Sequence, residues 1–444
     1  MASYLLPDAA LTTLDEYLAT ETGGLGLARA QELGPAATID LVQRSGLRGR
    51  GGAGFPTGRK WQSVASGPEG TRYAVCNAAE GEPGTFKDRA LLRSNPYQLV
   101  EGLLIAALAV RASEVFIALK ASFTREVERL TRAVQEMQTA GIASDCSVSI
   151  VEGPDDYLFG EEKALLEVIE GRPALPRLFP PYEHGLFATD IVTGWETGPG
   201  SGTPNPTLVN NVETLSSVPH ILARGAEWFR SMGTDASPGN VVCTVVGDVV
   251  APDVGEVELG TPLGAVIDAI ASGIGAGRQV KAVLPGVAAP VVTDLSVPVS
   301  YEGFETAGSA MGAAGYIVLD DTTCMVAVAH AISQFLFVES CGQCPPCKLG
   351  TGTITTALSH IEAGEADQSD LQAIEHWLAR VTDANRCYLG MQERLVVTSI
   401  IEAFGPEVEE HFELGRCPRP RAFILPKLAD LTRGVATYAQ PTTP

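Results

Sequence analysis

"RYAVCNAAEGEPGTFKDR", Arg72 to Arg89, decides how the chain is read. An apolar strand, "RYAVCN", runs into a loop rich in glycine and acid, "AAEGEPGTFKDR", and a helix, "PYQLVEGLLIAALAV", leads to a second strand, "EVFIAL". This is a β-loop-α-β unit, and such alternation implies a mostly parallel sheet with ligands near the carboxyl ends of its strands. Asn77 lies at such an end, and Glu80 and Glu82 follow it closely. Two acids and an amide at that crevice point to a site, where a surface turn is the plain alternative.

The pattern continues on both sides. Upstream, an amphipathic helix, "AATIDLVQRSGL", enters the glycine-rich "RGRGGAGFPTGRKW". Downstream come a helix "FTREVERLTRAVQEMQTAG", a strand "VSIVEG" and a helix "EEKALLEVIEG". A stretch rich in Pro and Gly then runs from Pro173 to Pro206 and ends in "TGWETGPGSGTPNP"; a loop that long is functional or mobile. Structure resumes at "TLVNNVETLSSVPHILARGAEWF". Beyond it, Val-rich runs ("VVCTVVGDVV", "QVKAVLPG", "GYIVLD") surround one helix, "PLGAVIDAIASG", as in a small α+β module resembling a β-grasp. From Cys324 the text is nearly all helix, and four amphipathic helices with short connections predict an antiparallel bundle. The fold expected is therefore α/β over residues 1–239, β-grasp over 240–323, and a four-helix bundle with its tail over 324–444.

With 444 residues, 45% of them hydrophobic, the chain is long enough for two to four domains and is not a disordered polymer. A formal charge of −22 argues against nucleic acid and anionic lipid, which select basic surfaces. The longest apolar runs, such as Leu99 to Val110, fall short of the ~20 residues a bilayer requires, so direct membrane insertion is not expected. "MASYLLPDAALTTLDEY" has no basic leader or cleavage pattern, so the expected location is cytoplasmic, or peripheral to a membrane through partners. Nine cysteines in a reducing compartment suggest metal ligation or buried thiols.

Three of those cysteines form a C-x2-C-x2-C run in "ESCGQCPPCKLGT": Cys341, Cys344 and Cys347. The spacing wraps a short loop, stiffened by Pro345 and Pro346, so that three sulfurs converge as an Fe–S cluster requires. Cys76, Cys146 and Cys243 lie in other modules, Cys324 sits in the first bundle helix, and Cys417 lies beyond the last. Cys387, in "DANRCYLGM", occupies a loop that an antiparallel return brings back beside the run, and it is the expected fourth ligand. A structural zinc site or unconnected buried cysteines are the alternatives.

The segment Gly49 to Lys60, "GRGGAGFPTGRK", contains G-x-G-x-x-G at Gly49, Gly51 and Gly54. A helix precedes it and Pro56 follows, so the dinucleotide fingerprint fails on context. Its missing Cβ atoms still let backbone approach a flat or phosphorylated ligand, with Arg50, Arg59 and Lys60 available for phosphate; a flexible loop is the other reading. "DYLFGEEKALLEVIEGR" offers Tyr157, Glu161 and Glu162 at a helix start, where acids also suit the dipole. "NNVET" offers Asn210, Asn211 and Thr214 at another, where a phosphate or ribityl chain, or simple capping, would use them.

In this order, "RGRGGAGFPTGRKW", "CNAAEGEPGTFKDR", "GEEKALLEVIEGRP", "NNVETL" and "ESCGQCPPCKLGT" closely resemble the NADH-binding flavoprotein subunit of respiratory complex I, over about residues 40 to 415. The same module serves NAD-linked hydrogenases and formate dehydrogenases. The resemblance implies an FMN domain, a β-grasp domain of SLBB-like type, and a bundle carrying a 4Fe-4S cluster on Cys341, Cys344, Cys347 and Cys387. It would set FMN against Gly49, Arg50, Gly51, Gly52, Gly54 and Lys60, with Asn77 and Glu80 beside it and Asn210, Asn211 and Thr214 near its tail. Phe55, Glu82, Tyr182 and the segment Tyr157, Gly160, Glu161 and Glu162 would shape the NAD(H) pocket, the acids serving the chemistry. Hydride exchanged with NADH would leave as single electrons to a separate thioredoxin-like 2Fe-2S subunit and a further Fe–S or catalytic subunit.

The sequence departs from that family at several places. Ala79 stands where Asp is usual, Phe179 where many members have Lys, Ser63 where an aromatic often flanks the adenine, and Lys163 where Thr is usual. An insertion follows Tyr182. Two functions fit: a diaphorase subunit that exchanges hydride with NAD(H), or an electron conduit that keeps flavin and cluster without nucleotide binding.

Overall fold

Strand β1 (Tyr73–Asn77) forms inside a parallel sheet because four of its five residues are buried, which excludes the polar alternation of a half-wet strand. In this computed structural model, which describes residues 3–142, 146–189, 203–419, 421–432 and 434–439, β1 is joined by β2 (Glu114–Lys120), β3 (Ser147–Gly153) and β4 (Thr207–Asn211) in the order β3-β2-β1-β4. All three pairings are parallel. The helix Pro96–Val110 that links β1 to β2 is buried at all but one position, as an all-round apolar helix must be; Asn95 caps it, and Arg111, in the left-handed region, ends it. Val75, Ala118, Val209, Phe159, Leu165 and Leu186 share one core cluster with Ala79.

The chain resolves into two compact units. The first comprises residues 1–81, 87–242 and 256–259, and the second 82–86, 243–255 and 260–444. A second, mixed sheet has the order β6-β5-β8-β7, from β5 (Asn240–Gly247), β6 (Asp253–Glu258), β7 (Val280–Pro285) and β8 (Gly315–Asp320), with β8 parallel to β5 and antiparallel to β7. Helix Leu263–Ala271 follows β6.

The four expected C-terminal helices form at Met325–Glu339, Pro345–Ala363, Gln368–Leu378 and Leu389–Ala403. A fifth, Gly405–Leu414, follows directly, because Pro406 sits in its first turn, where a missing N–H costs nothing. The tail then forms a hairpin of β9 (Leu428–Thr432) and β10 (Val435–Tyr438), and Arg421 pairs with Asp248 and Asp320. Among the described residues no helix is long and apolar enough to cross a membrane. Residues 190–202, which hold most of "TGWETGPGSGTPNP", lie outside the described residues.

Candidate functional site

The glycine-rich loop is closed on itself. Arg48 Nε donates to the Gly54 carbonyl at 2.7 Å, and the Gly49 N–H to the Phe55 carbonyl at 2.8 Å. Gly52 and Gly54 have φ of 114° and 61°, which explains glycine at both. A Cβ on Gly51 would stand 3.2 Å from the Asn211 Cβ, so the loop backbone lies hard against the end of β4. Phe55 is exposed at the rim. Arg50 departs from expectation: it is buried, and its guanidinium donates inward to the Pro238 and Asn240 carbonyls beside Glu213. Its backbone N–H donates to Thr214 Oγ1 at 2.8 Å, so Thr214 holds the loop.

Register brings the amides together. Asn77 pairs with Asn211 at the carboxyl ends of β1 and β4. Asn77 Nδ2 donates to the Gly160 carbonyl at 2.7 Å while its Oδ1 accepts from the Ala79 N–H, so the amide ties β1 to the Tyr157–Gly160 turn. Asn210 Oδ1 accepts from the buried Trp61 indole at 2.8 Å. Lys60, on the helix Thr57–Ala65 that leaves the glycine loop, lies 2.9 Å from Glu162, and both remain partly open to solvent. Glu161 caps the helix Glu162–Ile169 by accepting from the Lys163 and Ala164 N–H groups. Burial pushes its carboxyl up to about 7 against the opposing pull of Lys163.

Two expected acids are occupied locally. Glu80 accepts from the Asp88 N–H and from Arg89 Nε, closing the loop onto the helix Lys87–Ser94. Glu82 belongs to the second unit, where it accepts from the Val287 N–H at 2.7 Å. Ala79 is buried in the apolar cluster around Phe159. Phe179 and Tyr182 are exposed, with the Phe179 ring 6.0 Å from that of His184.

Beneath the Asn211 end lies a buried charge network that motif reading missed. Lys87 Nζ is 2.8 Å from Asp88, 2.9 Å from Glu213 and 3.2 Å from Asn211 Oδ1. Asn211 Nδ2 donates to Asp88 at 2.6 Å, fixing which way the amide points. Burial alone would lower the Lys87 pKa; Asp88 and Glu213 override it and hold the ammonium above its ordinary range. Lys87 and Asp88 stand in "GTFKDR", but only their partners, far away in sequence, reveal them.

In the second unit the cysteine run straddles a helix start. Cys341 lies in the loop, Cys344 caps the helix Pro345–Ala363, and Cys347 is in its first turn, where the helix dipole favours negative sulfur. Burial raises the Cys347 thiol against a hydrogen bond from Ser340, and the neighbouring Cys344 and Cys341 raise it further. Gln343 Nε2 lies 3.7 Å from the Cys341 sulfur. Lys348, not anticipated, donates to the Phe337 and Ser340 carbonyls and pins the loop to the end of the preceding helix. A Cβ on Gly350 would lie 3.1 Å from Trp377 and Val381, so the chain leading to Cys387 returns to the helix bearing Cys347. Three thiols at this spacing are donors suited to Fe–S, as the glycine cradle suits a flat, phosphorylated ring.

A parallel-sheet flavin unit in one chain with a cysteine-bearing helical unit defines an electron-transfer flavoprotein. Residues 42–220 match the Nuo51 FMN-binding domain, and residues 327–411 the NADH-ubiquinone oxidoreductase-F iron-sulfur binding region. The chain is 39% identical to an F-type component of NADH-quinone oxidoreductase from Rhizobium meliloti (strain 1021), covering 90% of this chain and 94% of that one. It is 34% identical to the HndC component of the NADP-reducing hydrogenase of Solidesulfovibrio fructosivorans, covering 91% and 82%. Among solved structures, a chain of NAD+-reducing [NiFe]-hydrogenase in the air-oxidized state superposes with a TM-score of 0.76 at 32% identity, over 94% of this chain and 68% of that one. The chain belongs to the F-type family of NADH-quinone oxidoreductase components, and its cofactors are FMN and a 4Fe-4S cluster.

Proposed function

We propose that this protein exchanges hydride with NAD(H) and hands electrons singly to iron–sulfur partners. The observation that carries the reading is the floor made where Asn77 and Asn211 stand side by side with the Gly51 backbone pressed on Asn211. When bound, FMN supplies two-electron acceptance with one-electron release, and the cluster supplies the exit. Gly49, Gly51, Gly52 and Gly54 give the ring a backbone surface, and Asn77 and Glu80 border it. Arg50, Asn210 and Thr214 act by holding that surface, while Asn211 and Lys60 face the phosphorylated tail. Phe55, Tyr157, Gly160, Tyr182, Glu161 and Glu162 border the dinucleotide and orient it. Glu82 accepts from the Val287 N–H within its own unit.

Cys341, Cys344, Cys347 and Cys387 hold the cluster, and a thioredoxin-like 2Fe-2S subunit with a further Fe–S or catalytic subunit receives the electrons, in the cytoplasm. The division at residues 239/240 and 323/324 separates the parts that perform these steps. Stopped-flow mixing with NADH tests the reading: flavin absorbance should bleach. If millimolar NADH leaves the flavin oxidised while dithionite reduces it, the chain is a conduit instead.

A further inference from the structure

A second group of metal-ligating side chains lies in the second unit, separate from the cysteine run. Cys324 Sγ, a His411 ring nitrogen and Cys417 Sγ all lie within 4.8 Å of one another, and Cys324 and His411 are buried. Cys324 immediately precedes the helix Met325–Glu339, at the end whose dipole favours negative charge on sulfur.

The imidazole is oriented for ligation. His411 Nδ1 lies 2.6 Å from the Glu407 carbonyl, which can only accept, so the proton sits on Nδ1. Nε2 therefore presents a lone pair, 3.4 Å from the Cys324 sulfur. A backbone carbonyl behind the ring is the usual outer partner of a metal-bound histidine. Zn–S bonds of about 2.3 Å and Zn–N bonds of about 2.0–2.1 Å give tetrahedral edges of about 3.6 Å for S···N and about 3.8 Å for S···S. The observed S···N separation is close to the first of these, and the remaining edges fall within 4.8 Å. Two thiolates and a neutral imidazole also balance a dication, which permits burial.

We propose that Cys324, His411 and Cys417 bind a zinc ion, distinct from the iron–sulfur cluster, that clips the segment after the last helix to the start of the first helix of the bundle. Cys417 is only partly covered, and water takes the fourth position from that side. The ion closes a loop of 87 residues between Cys324 and His411.

Metal analysis of the full-length holoprotein, exposed to Zn2+ and dialysed against EDTA, tests this. One zinc per chain is expected, with an X-ray absorption edge fitted by two sulfurs and one nitrogen. Cys417→Ser should lower zinc at least tenfold while iron and flavin are retained. Zinc at background in the unsubstituted protein, or a four-sulfur shell, overturns the proposal whatever the variant does. So does zinc retained by Cys417→Ser, or a Cys324–Cys417 disulfide found by peptide mapping under non-reducing conditions.

Discussion

The Lys87 ammonium lies 2.9 Å from the Glu213 carboxylate with both side chains shut off from solvent, and Asp88 and Asn211 complete the group around it. Removing one member of a buried pair leaves an uncompensated charge, a cost of about 3–5 kcal/mol. Lys87→Met should therefore lower the denaturant midpoint sharply and loosen FMN, because Asn211 loses a partner that fixes its amide. Equilibrium unfolding and fluorescence of released flavin measure both. An unchanged midpoint would remove the network from any account of stability.

Cys387→Ala should abolish the EPR signal of the reduced cluster and lower bound iron, because Cys341, Cys344 and Cys347 supply only three thiolates. Cys146→Ala, on the other unit, should leave iron unchanged. Equal iron in the two variants would move the fourth ligand elsewhere.

Phe179, exposed beside His184, offers no charge where the family resemblance leads to Lys. Losing a charged hydrogen bond costs about 1.5–3 kcal/mol, roughly a ten- to hundredfold weaker affinity. Phe179→Lys should lower the NADH concentration giving half-maximal flavin bleaching by about that factor and leave dithionite reduction unaltered. A variant with the same half-saturation would show that this position does not meet the nucleotide.

Glu161 gives a pH dependence of defined sign. Its folded pKa, raised by burial to about 7, lies above the ordinary value of 4.5, so the folded protein holds a proton that the unfolded chain releases. The associated stability is complete below pH 4.5, declines as pH rises to about 7 and is flat above. The decline is of order 1–3 kcal/mol, the side chain being 21% exposed and therefore partly screened by solvent. Glu161→Gln should flatten that segment of the profile in urea titrations between pH 4 and 8. A wild-type profile retained by the variant would place the titration elsewhere.

The elements legible in the sequence are those whose burial is uniform along the chain. "YAVCN" and "EVFIAL" declare parallel strands because both faces are covered, and the C-x2-C-x2-C run declares itself because its ligands are local. Gly405–Leu414 is hidden because Gly-Pro ends helices as readily as it starts them. β6, "DVGEVE", carries too many polar residues to stand out. Arg50 exposes a deeper limit: an arginine in a glycine loop suggests phosphate, yet which way the guanidinium turns depends on Glu213 and on carbonyls well over a hundred positions away. The Cys324, His411 and Cys417 group is invisible for the same reason, since no spacing rule joins residues so distant.

The parallel pairing of Tyr73 with Thr207 also sets an order of events during synthesis. β1 leaves the ribosome long before β4 exists, and until then one edge of it has no ladder partner, the condition under which strands from neighbouring chains associate. The Asn77 and Asn211 floor cannot assemble until residue 211 has emerged, so a flavin supplied early finds no seat, and starving cells of it should affect the finished chain rather than the growing one. Pairings this remote also fold slowly. Biogenesis of this protein therefore has a vulnerable interval, bounded by the emergence of two strands, in which a holding chaperone would be of most use.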